Sequence, residues 1–161
     1  MEEAAAGEAA EAPARRCSLE GRPPYSEIEH TADIGFELEA ASRTAAFEAA
    51  ALAMFDLMVD LDGVGDDWSG TLQASGEPGD LENLMVRWLS ELLYLHDDEG
   101  VVVRSVSIVR LDDGSVEAEL RGEPLDPSRH DVRSEVKAAT YHGLSVGEED
   151  GRWRVRVIFD T

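Results

Sequence analysis

Cysteine is almost missing. Cys17 is the single one in 161 residues, which excludes an intrachain disulfide and any cysteine-built zinc or iron–sulfur centre and suits a reducing, cytoplasmic setting. Basic residues are scarce as well: 14 Lys and Arg stand against 35 Asp and Glu, a formal net charge of -21. A surface of that sign repels polyanions, so strong direct nucleic-acid binding is not expected. Cations, a basic protein partner or simple solubility suit it better. No apolar run is long enough to span a bilayer, and residues 1–24 lack the continuous apolar core of a secretory signal. There is no glycine-rich phosphate loop after a strand, no G-x-S-x-G motif and no Ser-His-Asp order. Cys17 falls in the amino-terminal tail, which argues against cysteine nucleophile chemistry.

What the chain does contain is enough apolar residue, 43%, for one ordinary domain. Residues 1–24, rich in Ala, Glu, Gly and Pro, read as a disordered acidic tail, so the folded domain is expected over 25–161. "YSEIEH" reads as a first strand. After the kink "TAD", the stretch "IGFELEA" alternates, with Ile34, Phe36, Leu38 and Ala40 on one face and Gly35, Glu37 and Glu39 on the other. Ser42 caps a helix over "RTAAFEAAALAMFDLM", with a buried stripe at Phe47, Ala50, Ala51, Met54 and Met58. "DWSGTLQAS" follows as a strand. Asp80 then caps a second helix, "LENLMVRWLSELLYLHDD", which ends at Gly100. "VVVRSVSIVRL" and "SVEAELRG" form a hairpin through Asp112-Asp113-Gly114, and "EVKAATYHGLSV" and "RWRVRVIFD" form another across "GEEDG". The expected fold is α+β, two helices on one face of a mainly antiparallel sheet, with two strand–helix units hinting at duplication.

The candidates for chemistry are polar residues that break these patterns. Asp33 sits at the kink, as a turn residue or as a ligand. Asp160 ends an otherwise apolar, β-branched strand, followed by Thr161. If that strand lies beside the kink, Asp33, Asp160 and the oxygens of Thr161 make a hard-oxygen site suited to Ca²⁺, Mg²⁺ or Mn²⁺. The alternative is a frayed, solvated chain end. His30 and His142 lie in strand contexts and are either structural hydrogen-bonding groups or softer ligands. Arg129 and His130 lie in an irregular loop. Lys137, among small and apolar residues, points either to solvent or to a phosphate or carboxylate. His96 ends a helix, where a cation suits the dipole. A metal site without a nucleophile favours a binding or accessory protein over a self-sufficient enzyme.

Four of these stretches together, "EHTADIGF", "AALAMFDLM", "EVKAATYH" and "VIFD", resemble the archease family from Tyr25 to the end of the chain. The resemblance implies a fold of strand–helix–strand–strand modules. It also implies an accessory role to the GTP-dependent RNA ligase of the RtcB type, which joins RNA ends in tRNA splicing and RNA repair. In that role the protein promotes guanylylation of the ligase and its multiple turnover, and GTP and RNA are met only through the ligase. The family's acidic metal ligands fall on Asp33 and Asp160, with a main-chain oxygen of the last residue, here Thr161, where family members often carry an apolar side chain. Lys137, His142, Arg129 and His130 match the family pattern less decisively and stand, with His30, as partner-facing or metal-supporting candidates. Two other readings remain: a chaperone-like modulator of tRNA-modifying enzymes, and a stand-alone metal-dependent phosphohydrolase.

Overall fold

A computed structural model describes residues 25–30 and 33–161; the expected tail, 1–24, lies outside them. The elements are β1 (Tyr25–His30), β2 (Asp33–Ala40), α1 (Arg43–Met58), a short 3-10 turn (Leu61–Gly63), β3 (Trp68–Ser75), α2 (Leu81–Glu99), β4 (Val101–Leu111), β5 (Ser115–Pro124), β6 (Ala138–Ala139), β7 (Ser145–Glu149) and β8 (Arg152–Asp160). The local signals act where expected. Ser42 Oγ accepts the Ala45 N–H and Asp80 accepts the Asn83 N–H, each supplying a first-turn amide with a partner. Gly100 closes α2 in the left-handed region, φ 69°, with its N–H on the His96 carbonyl. The turn into β8 places Asp150 and Gly151 at φ 54° and 78°, the primed geometry that matches strand twist.

The class is α+β with two helices and antiparallel strands throughout, but the strands divide into two sheets rather than one. The larger runs β1–β2–β8, and β6 and β7 both pair with the far edge of β8; the smaller runs β3–β5–β4. α1 packs between them, against β2 of one sheet and β4 of the other. The single buried stripe expected for α1 is therefore too narrow. Twelve of its 16 residues are buried, because a helix covered on both sides has no wet face. The small side chains of "AAFEAAALA" let two sheets approach one helix. α2 keeps a conventional amphipathic face, with Leu84, Trp88 and Leu92 fully buried. Its Trp88 indole N–H donates to the Phe47 carbonyl of α1 at 2.9 Å.

The duplication hinted at in the sequence is clear in the topology. β3, α2, β4 and β5 form a contiguous strand–helix–strand–strand unit with sheet order first–third–second. β2, α1, β7 and β8 form a second unit with the same order, split in sequence because the first unit is inserted between α1 and β7.

Candidate metal and partner site

β2 and β8 are separated by more than a hundred residues, and their pairing builds the site. In the antiparallel register Asp33 faces Asp160, Ile34 faces Phe159, Gly35 faces Ile158, Glu37 faces Arg156 and Glu39 faces Arg154. The apolar positions Phe36, Leu38, Val155, Val157 and Phe159 turn inward and are buried. Asp33 and Asp160 belong to the other parity and share the outward face of the sheet. Two of the outward pairs match opposite charges: Arg156 meets Glu37 at 2.7 Å, and Arg154 meets Glu39 at 3.1 Å. The pair at the end of the row sets carboxylate against carboxylate. Directly opposed like charges cost stability, and at about 5 Å in a water-like medium the repulsion is on the order of 1 kcal/mol. Among the described residues no ion pair to either carboxylate occurs.

Local packing holds this register. A Cβ on Gly35 would overlap the carbonyl of Val157 and crowd Ile158 Cδ1 at 3.0 Å, so only glycine lets β2 and β8 approach here. On the far edge the Lys137 N–H donates to the Asp160 carbonyl at 2.9 Å, and Thr140 gives both its N–H and its hydroxyl to the Ile158 carbonyl at 3.0 and 2.8 Å. β6 is short, but it fixes the last residues of β8. His30 stands opposite Asp33 in the β1–β2 register. Lys137, His142 and Thr161 are exposed. The His142 N–H bonds Thr140 Oγ1 at 3.3 Å.

Could these residues hold a cation? The donors are hard oxygens, two carboxylates that nothing among the described residues neutralises, with the main-chain oxygen of Thr161 next in sequence. That donor set fits Ca²⁺, Mg²⁺ or Mn²⁺ and not a soft metal. The set is sparse: among the described residues no group of three or more His, Cys, Asp and Glu is arranged to hold a metal ion.

Arg129 and His130 are committed elsewhere. Arg129 grips Glu123 with two nitrogens, at 2.8 and 3.2 Å, and Glu123 also accepts the Gly65 N–H at 2.6 Å. The His130 side chain is fully buried. The Asp126 N–H donates to its Nδ1 at 2.9 Å, so Nε2 carries the proton and donates to Glu123 at 2.8 Å. These bonds, Arg129 first, lower the Glu123 carboxyl from 4.5 to about 2. The imidazole has no ring nitrogen left for a metal or a partner. The cluster anchors the loop after β5.

Two groups escaped the sequence reading. Asp56, within the apolar "AMFDLM" of α1, is completely buried. It accepts from the Tyr25 hydroxyl at 2.7 Å and the Leu61 N–H at 3.3 Å, with Arg133 at 3.5 Å. Burial and the Asp56 hydrogen bond push the Tyr25 phenol far above its usual range. One of two acids, with Glu48, in a mostly apolar helix, it carried a signal, but two of its partners lie 31 and 77 residues away. Glu123 gave no such signal, since its strand alternates normally.

The archease protein family model matches residues 25–161. The Methanopyrus kandleri archease is 40% identical over 140 residues, covering 85% of this chain and 99% of the relative. The Pyrococcus abyssi archease is 40% identical, covering 84% and 97%. The solution structure of a Methanobacterium thermoautotrophicum protein superposes with a TM-score of 0.72 at 34% identity, over 86% of this chain and 99% of that one. A crystal structure of a Thermotoga maritima archease, called a possible chaperone, shares the fold at a TM-score of 0.54 and 22% identity, over 83% and 94%.

Proposed function

The chain belongs to the archease family, and from that membership we propose that it is an accessory protein of an RtcB-type GTP-dependent RNA ligase. It raises guanylylation of the ligase and its multiple turnover in tRNA splicing and RNA repair, and it does not itself join RNA. The observation that carries this reading is the pairing of Asp33 with Asp160 on the outward face of β2 and β8. Elsewhere on the same face opposite charges are matched, so an uncompensated carboxylate pair is a place prepared for a cation.

Asp33 and Asp160 would hold a Ca²⁺, Mg²⁺ or Mn²⁺ ion, with an oxygen of Thr161 as a further donor. When bound, such an ion supplies neutralisation of phosphate charge. The residues of this chain set where that charge is presented. Gly35 and β6 fix the two strand ends, and the net charge of -21 steers the protein toward a basic nucleotide site on the ligase. Lys137 and His142, both exposed beside the end of β8, are partner-facing groups. The setting is cytoplasmic; among the described residues no helix is long and apolar enough to cross a membrane.

The test is multiple-turnover RNA ligation by the cognate ligase with GTP and Mn²⁺. Adding this protein is expected to stimulate turnover, and Asp33→Ala or Asp160→Ala to return it to the level of ligase alone. Stimulation kept in both variants would remove the acidic site from the function. No stimulation by the unaltered protein would overturn the ligase reading and leave binding to a tRNA methyltransferase, or phosphate-ester turnover by this protein alone, as the readings to pursue.

A further inference from the structure

Resting on the reading of Asp33 and Asp160 as a cation site, we propose that Thr140 is its positioning residue. Acting through the Ile158 carbonyl, the Thr140 hydroxyl holds the end of β8 in the register that keeps Asp160 opposite Asp33, and so sets how tightly the pair takes a divalent cation. The pair needs such a hold. Asp33 is the first residue of β2 and Asp160 the last of β8, so the opposed carboxylates act where both strands end. Strand ends open at little cost, and opposed like charges favour the opened form. The two carboxylates converge only while the end is closed, so the apparent affinity for a cation is the intrinsic affinity scaled by the closed fraction. A group that closes the end of β8 therefore tunes the site without being a ligand.

Ile158 lies two residues before Asp160 and is held from both edges of β8. On one side Gly35 stands opposite, where any side chain would crowd Ile158. On the other, one carbonyl takes two protons from one residue, the Thr140 N–H at 3.0 Å and the Thr140 hydroxyl at 2.8 Å. The backbone bond already satisfies that carbonyl, so the fold does not require the second. Valine has the same β-branched shape and suits a strand equally well; the hydroxyl is what it lacks. Thr140 Oγ1 also accepts the His142 N–H at 3.3 Å, which ties the Thr140 side chain to the turn after β6. Nearer the tip, the Lys137 N–H reaches the Asp160 carbonyl at 2.9 Å. Exchange of that amide with solvent therefore reports whether the end of β8 is closed.

The experiment follows the Lys137 amide of the full chain by NMR, through hydrogen exchange and through Ca²⁺ titration. It compares the unaltered protein with Thr140→Val, Thr140→Ser and Asp33→Asn, and the amide of Leu52, buried in α1, reports global opening. Thr140→Val is expected to speed Lys137 exchange about two- to tenfold, the loss of one hydrogen bond, and to weaken Ca²⁺ binding about two- to fivefold, with Leu52 exchange unchanged. Thr140→Ser keeps the hydroxyl and is expected to restore both. Ca²⁺ affinity unchanged in Thr140→Val, while Asp33→Asn loses it, would overturn the positioning role and leave the cation site standing. Exchange raised to the same extent at Leu52 would mark a general loss of stability, and Thr140→Ser as impaired as Thr140→Val would mark a loss of shape; either counts against the hydroxyl. No Ca²⁺ response at Lys137 in the unaltered protein, or an equal one in Asp33→Asn, would overturn both readings.

Discussion

Glu123 shows how one carboxylate can organise a segment without serving chemistry. Its three donors come from Gly65, Arg129 and His130, so it ties the loop before β3 to the loop after β5. Its carboxyl lies near 2 when folded against an ordinary 4.5, so the unfolded chain binds the proton more tightly. The stabilisation is complete above about pH 4.5 and is lost as the pH falls through about 2. Glu123→Gln is expected to cost about 2–4 kcal/mol at pH 7, since it leaves Arg129 only the more distant Asp126, at 3.8 Å, and disrupts the network around buried His130. It should also flatten the acid limb. Urea midpoints between pH 2 and 6 for both proteins read out both effects; parallel acid limbs would assign the loss to another carboxylate. Arg129 and His130, which the family resemblance offers as partner-facing candidates, prove to be bonded to Glu123, six and seven positions earlier.

At the scale of elements, α1 is the informative case. A strip of alanines at helical spacing reads equally as the dry face of an amphipathic helix or as a helix buried all round. Periodicity separates these only when a polar face exists to break it. Here Ala46, Ala50, Ala51 and Ala53 are all completely buried, since β2 and β4 close on opposite sides. Enlarging such a contact should cost more than enlarging a one-sided one. Ala50→Leu is expected to lower stability by about 1–3 kcal/mol through overpacking, measured as a shift in the denaturant midpoint at constant slope. A neutral result would mean that the two sheets can separate around the helix. β6 makes a contrasting point. Two residues suffice to fix the end of β8, because the amides of Lys137 and Thr140 extend the ladder on either side.

Across the whole molecule, the two like-ordered modules are closed by the pairing of β2 with β8, and the acidic pair lies at the end of that closure. A cation held there, as proposed, would bridge segments far apart in sequence and would bind only when they are assembled. Added Ca²⁺ or Mn²⁺ at about a hundred times its dissociation constant should stabilise the fold by about 2.7 kcal/mol, seen as a higher melting temperature. In chelator the order reverses. Asp33→Asn removes the like-charge contact, so it should equal or exceed the unaltered protein by about 0.2–1 kcal/mol while losing the metal-dependent rise. A metal-dependent rise retained in Asp33→Asn would place the cation elsewhere on this acidic surface.

The elements themselves were set locally: Ser42 and Asp80 as caps, Gly100 as a stop, Asp112–Gly114 and Asp150–Gly151 as turns, and the alternation that turns Phe36 and Leu38 inward. These follow from backbone sterics and hydrogen bonds a few residues long, so the sequence alone determined them, and with them the α+β class and the candidacy of Asp33 and Asp160. Tertiary structure decided what depends on distant partners. It split the strands into two sheets, buried α1 on both sides, gave Asp56 its distant donors, buried His130 and tied the exposed Arg129 to Glu123. It also set Asp33 across from Asp160, because cross-strand register arises from the packing of whole strands and is not encoded within either one.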